Sequence, residues 1–171
     1  MKNLIKQAKN GSAEAFGEIY SLYAKELYRF ALYNLKNTFD AEDAVQNAAI
    51  IAFTKIGTLK KAESFRSWFF KILYNECLKI VTSNSRSQEV PVEDIVLSSD
   101  EEVSFSDETG VLALLDKLSE EEKSIIILSV FNEYNSKEIA SILSMNPSTV
   151  RSTLSRLLKK LRKQLEGEEN E

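Results

Sequence analysis

The sequence predicts an all-α protein, two small helical domains joined by a flexible acidic linker, across its 171 residues. Three observations carry that expectation. Helix breakers are scarce, with five Gly and two Pro, and no long run alternates apolar and polar residues, so a period of 3.6 prevails over a period of 2. Charge is blocked along the chain: 12 Lys/Arg against 8 Asp/Glu over residues 1–82, 2 against 12 over 83–122, and 7 against 1 over 135–165. The last block reads as a short helix, a tight break and a longer basic helix, the pattern of a helix-turn-helix. Domains are accordingly expected at 1–82 and 108–166, with the linker at 83–107 and an acidic tail at 167–171.

In the first domain a long amphipathic helix follows Ser12 and turns Phe16, Ile19, Tyr20, Tyr23, Leu27, Phe30 and Ala31 to one side. Asp40 can cap a second helix that carries Ala41, Ala44, Val45, Ala48 and Ala52 inward and ends near Gly57. A third begins at about Ser64 and places Phe65, Trp68, Phe69 and Ile72 together. The stretch Ser83 to Asp107 mixes Ser, Asn, Glu and Asp with little periodic apolar content, which favours a flexible linker. Beyond it, Ser119 and Glu122 form a capping box ahead of a helix running to about Asn132. Asn135 and Glu138 repeat the device for a short helix with Ile139, Ala140, Ile142 and Leu143 inside. Ser144-Met145-Asn146-Pro147 breaks it, because proline cannot continue a helix but suits the first position of the next. Val150, Leu154, Leu157, Leu158, Leu161 and Leu165 then form one stripe that must face a core.

Composition narrows the function classes. No apolar run approaches a membrane span and no signal-peptide hydrophobic region opens the chain, so a soluble cytoplasmic protein without membrane insertion is expected. Cys77 stands alone and histidine is absent, which excludes a disulfide framework and Cys/His zinc sites. No Gly-rich phosphate loop and no nucleophile with a partner is present, so neither an enzyme nor a cofactor or metal site is expected.

The candidate DNA-reading face comprises Ser148, Ser152, Arg156, Lys159 and Lys163, flanked by Arg151 and Ser155. Small hydroxyls suit base edges and phosphate oxygens, and cations suit the backbone. An ordinary solvated helix face is the bland alternative. The acidic run Asp40-Ala41-Glu42-Asp43, followed by Gln46, reads blandly as the first turn of a helix, favourable to its dipole. That explains Asp40 and leaves Gln46 unaccounted for.

Taken in order, these motifs resemble a known family. Asp40 to Gln46, then Phe65-Arg66-Ser67-Trp68-Phe69-Phe70-Lys71-Ile72-Leu73-Tyr74-Asn75, an acidic linker, Lys137-Glu138-Ile139-Ala140 and Ser148-Thr149-Val150-Arg151-Ser152 together resemble an extracytoplasmic-function (group IV) member of the sigma-70 family, from about Leu4 to Leu165. The resemblance implies a region 2-like domain, then a region 4-like domain. It implies that Asp40, Glu42, Asp43 and Gln46 dock on the clamp helices of bacterial core RNA polymerase, where complementary charge would steer docking. Lys60, Lys61, Ser64, Arg66, Ser67, Lys71 and Asn75 would meet the melted minus-10 strand of promoter DNA, with an amide of Asn75 on a base edge. Asn75 satisfying a core backbone group is the alternative. Trp68 is expected in the core rather than as a stacking platform. Lys137, Ser148, Thr149, Arg151, Ser152, Ser155, Arg156 and Lys159 would meet the minus-35 duplex.

One departure from the family pattern stands out. Thr153 and Leu158 occupy positions where the family has arginine, which implies weaker or altered minus-35 recognition, helped by another DNA-bound partner. An anti-sigma factor is a further partner the resemblance implies. The linker fits a path near the RNA and fits an inert tether equally. A stand-alone helix-turn-helix regulator with an N-terminal partner-binding domain is the alternative function.

Overall fold

A computed structural model describes residues 1–84 and 115–168, with side chains through 163; the expected linker and tail lie almost wholly outside the described residues. No strand occurs among the described residues, in agreement with the all-α expectation. The chain divides into two compact units, Met1–Glu93 and Asp94–Glu171.

The first unit opens with a helix absent from the sequence expectation, α1 (Lys2–Lys9), which buries only Ile5 and Ala8. Eight residues with two buried positions give too short a pattern to read as periodic. Gly11, at φ 95, turns the chain into α2 (Ala13–Leu35), a backbone conformation open to glycine without steric cost. Ser12 caps α2 as expected, accepting a hydrogen bond from the Ala15 N–H at 3.1 Å. α3 (Thr38–Lys55) starts earlier than Asp40. Its cap is Asn37, whose side chain accepts from the Asp40 N–H at 2.9 Å, so Asp40 is a first-turn residue rather than the cap.

Two 3-10 turns, Ile56–Thr58 and Ala62–Ser64, lead to α4 (Phe65–Asn84), which carries Ser83 and Asn84 in its last turn. α2 packs on α3 and α4, α3 packs on α4, and α1 lies on α2. The core is aromatic: Phe30 meets Phe70 edge-on at 5.6 Å and Phe65 meets Phe69 at 5.7 Å between ring centroids. The buried stripe of α4 runs through Phe65, Phe69, Phe70, Leu73 and Cys77. That rotates it away from the expected Trp68 and Ile72, both half-buried.

In the second unit α5 (Glu120–Ile126) begins at the expected Ser119–Glu122 capping box and passes into a π-helical segment, Ile127–Phe131, ending at Asn132. α6 (Ser136–Leu143) begins at the second capping box, in which Asn135 accepts from the Lys137 and Glu138 N–H groups. Ser144, at φ 58, closes α6 in the left-handed conformation, and α7 (Pro147–Glu168) starts at the proline. Val150, Leu157 and Leu161 are buried as expected, but Leu158 is 42% exposed and Leu154 is half-buried. The side chain of Leu165 lies outside the described residues. α7 packs against both α5 and α6, which leaves its opposite side to solvent.

Candidate nucleic-acid interface

The free side of α7 follows from its helical repeat. With 3.6 residues per turn, Ser148, Ser152, Ser155 and Lys159 fall on the side opposite Val150, Leu157 and Leu161, and all four are exposed. Thr149 and Arg151 are exposed beside them, as is Lys137 on α6. Two hydroxyls on this face are already engaged. Ser148 donates to Asn146 Oδ1 at 2.8 Å and Ser152 donates to the Thr149 carbonyl at 3.0 Å, so each oxygen still has acceptor capacity for a DNA group. Arg156 is tethered: its Nη2 donates to Glu122 Oε1 at 2.7 Å, while Glu122 Oε2 accepts from the Ser119 N–H at 3.2 Å. The guanidinium of Arg156, followed by the Ser119 N–H, holds the Glu122 carboxyl below its ordinary pKa. Charge counting could not reveal this pair, because Glu122 lies 34 residues upstream.

In the first unit the expected minus-10 residues separate into two groups. Ser67, Lys71 and Asn75 share one side of α4, away from Phe69 and Leu73, and Ser64 closes the 3-10 turn just before that helix. Asn75 is exposed, which removes the alternative that it serves a core backbone group. Lys60 and Lys61 are exposed in the preceding loop. Arg66 does not join them. It points to α2, where its Nε and Nη2 donate to Glu26 Oε2 at 3.1 and 2.8 Å. Trp68 is half-buried with its ring 5.9 Å from that of Phe65, neither sealed in the core nor standing free of it.

The acidic face lies on α3. Glu42, Asp43 and Gln46 are exposed, Asp43 accepts from Asn47 Nδ2 at 3.3 Å, and half-buried Asp40 accepts from Asn84 Nδ2 at 3.1 Å. The structure adds two residues that sequence reasoning passed over. Phe39 and Ile50, 79% and 65% exposed, stand on the same side as Asp43 and Gln46. Ile50 and Phe53 border a shallow apolar groove of about 330 Å³ whose other wall includes Phe16 and Tyr20. Large side chains left in water on a helix with a complete core stripe were the available signal.

A helix-turn-helix with a polar and cationic free face, on the same chain as a second helical unit bearing an acidic face and a cationic loop, is the architecture of a DNA-binding transcription protein. Comparison with known proteins makes the class specific. Residues 19–87 match the sigma-70 region 2 family and residues 109–161 match sigma-70 region 4. The RNA polymerase sigma factor SigV of Bacillus subtilis is 34% identical over 148 residues, 86% of this chain and 89% of the relative. The extracytoplasmic-function sigma factor SigW of the same organism is 27% identical, over 96% of each chain. Two solved structures share the fold. The sigma factor RpoE of Bartonella quintana, solved with the anti-sigma factor NepR, has a TM-score of 0.77 at 23% identity over 90% of this chain and 98% of its own. CnrH, solved with the cytosolic domain of CnrY, has a TM-score of 0.74 at 21% identity over 96% of each chain. This chain belongs to the sigma-70 family, among its extracytoplasmic-function sigma factors.

Proposed function

We propose that this chain directs promoter recognition and transcription initiation by binding core RNA polymerase, the minus-35 duplex and the melted minus-10 strand. The observation that carries the reading is the succession of region 2 and region 4 on one chain, in a protein 34% identical to a sigma factor over most of both lengths. The α3 face presents Glu42, Asp43 and Gln46 to a basic helical partner, and Phe39 and Ile50 add apolar contact around the charges. The α7 face enters the major groove, with Ser148, Thr149, Ser152 and Ser155 toward bases and Lys137, Arg151, Arg156 and Lys159 toward phosphates. Ser64, Ser67, Lys71 and Asn75, with Lys60 and Lys61, hold the unpaired strand by hydrogen bonds and charge. Arg66 serves α4 instead, through Glu26.

Opening the duplex then draws on binding energy and base capture, and this chain performs no covalent chemistry. No helix among the described residues is long and apolar enough to cross a membrane, which fits action on polymerase in the cytoplasm. An anti-sigma factor is a fitting regulator, since both fold relatives were solved with partner proteins, one of them an anti-sigma factor by name.

The test is reconstitution. Mixed with bacterial core polymerase, the chain is expected to co-purify with it and to yield transcripts from defined promoters, and Asp43→Lys is expected to abolish both by reversing charge at the docking face. Absence of co-purification, or transcription indifferent to Asp43→Lys, overturns the reading.

A further inference from the structure

Between α3 and α4 the chain passes through two 3-10 turns, and such turns hydrogen-bond less well than an α-helix. Something outside the loop has to hold its shape. α1 contacts both turns, with Ile5 and Ala8 buried on its side and Ile56 and Leu59 buried on the loop side. At the C-terminal end of α1, Lys9 donates from Nζ to the Leu59 carbonyl. Near its start, Lys2 pairs with Glu63 at 2.7 Å. The two tethers bracket Lys60 and Lys61, which face solvent, and the second ends one residue before Ser64.

We propose that α1 is the positioning element of the minus-10 loop and that Lys9 is its principal positioning residue. This rests on the minus-10 reading given above. The tethers are unequal in weight. Lys2 and Glu63 are 77% and 63% exposed, so water and salt screen them and ordering two long side chains offsets the gain. Lys9 is an exposed residue too, but its ammonium makes a charge-assisted hydrogen bond to the carbonyl of buried Leu59, the stronger kind, and it acts on the backbone itself. Holding Leu59 inward sends the next two side chains outward, and it sets where the N-terminus of α4 begins. Region 2 thereby keeps Lys60, Lys61 and Ser64 in register with Lys71 and Asn75 before DNA arrives, which lowers the ordering cost of capture.

The experiment uses the full chain loaded on core polymerase, at a promoter mapped from its own transcripts, with a forked template exposing the minus-10 strand. Lys9→Met keeps the apolar stem and removes the ammonium. Binding to the fork is expected to fall about tenfold, and preference for the native minus-10 bases over substituted ones is expected to shrink. Binding to core polymerase and to a minus-35 duplex is expected to stay unchanged, as is every readout in Lys2→Ala. Lys9→Arg, which restores a charged donor, is expected to recover base preference. Should Lys9→Met fold poorly by thermal unfolding, Lys9→Gln supplies the same comparison with a neutral donor.

Base preference equal to that of the native chain in Lys9→Met, or in Lys9→Gln where it stands in, overturns the proposal, as does loss of all three binding readouts together, the signature of mere destabilisation. Native chain that gives no promoter-specific transcripts overturns the sigma reading and this proposal with it. Transcripts from the native chain with unaltered base preference in Lys9→Met, or its stand-in, overturn this proposal alone.

Discussion

Asn75 and Arg156, both proposed to meet nucleic acid, are held very differently by the fold. Asn75 stands exposed on α4, so replacing it leaves the core untouched. Asn75→Ala is expected to leave unfolding within about 0.5 kcal/mol of the native chain. Its discrimination among minus-10 bases is expected to fall by about 1–3 kcal/mol, read by competition on forked templates. Arg156 is instead held by Glu122, a carboxylate that also closes the α5 cap. Because the fold depresses the Glu122 pKa, its stabilisation is present above the unfolded value and is lost as pH falls through the lowered one. Glu122→Gln is therefore expected to flatten part of the acid loss of stability below the ordinary carboxylate range. Superimposable unfolding profiles of variant and native chain across that range would remove Glu122 from the account. None of this pairing was legible in the sequence, where Arg156 reads as a free cation and Glu122 as half of a cap.

Among the elements, α7 carries the two positions that depart from the pattern the family resemblance implies. Thr153 is half-buried and Leu158 is 42% exposed, both without charge, where the family resemblance expects arginines. The helical stripe by itself assigned Leu158 to the core. Packing against α5 and α6 instead centres the buried side on Val150, Leu157 and Leu161 and leaves Leu158 toward solvent. Weaker minus-35 binding is thus proposed for this chain. Leu158→Arg is expected to strengthen duplex binding and to steepen its logarithmic salt dependence by about 0.9 for each additional phosphate neutralised. An unchanged salt slope would count against a phosphate at that position. The short helix α6 depends on its cap more than on length, since eight residues propagate poorly alone. Asn135→Ala is expected to cost the second unit about 1 kcal/mol in chemical denaturation, because it releases the Lys137 and Glu138 N–H groups.

For the whole molecule, the proposed function rests on two units on one chain, the region 4 unit for duplex DNA and the region 2 unit for polymerase and single strand. Raising salt is expected to weaken both grips, the duplex grip more steeply, as followed by duplex and fork titrations at matched ionic strengths. The amino-acid sequence was sufficient for the helical class, for both capping boxes and for the start of α7, because each depends on residues within one turn of one another. It was also sufficient for the family, because the order of the motifs survives where each motif alone is weak. Tertiary structure decided the rest. It rotated the α4 stripe onto Phe70 and Leu73, turned Arg66 to Glu26, and laid α1 along the turns between α3 and α4. These depend on partners brought together from distant parts of the chain, and neither helical period nor net charge encodes which side chain a neighbouring helix will claim.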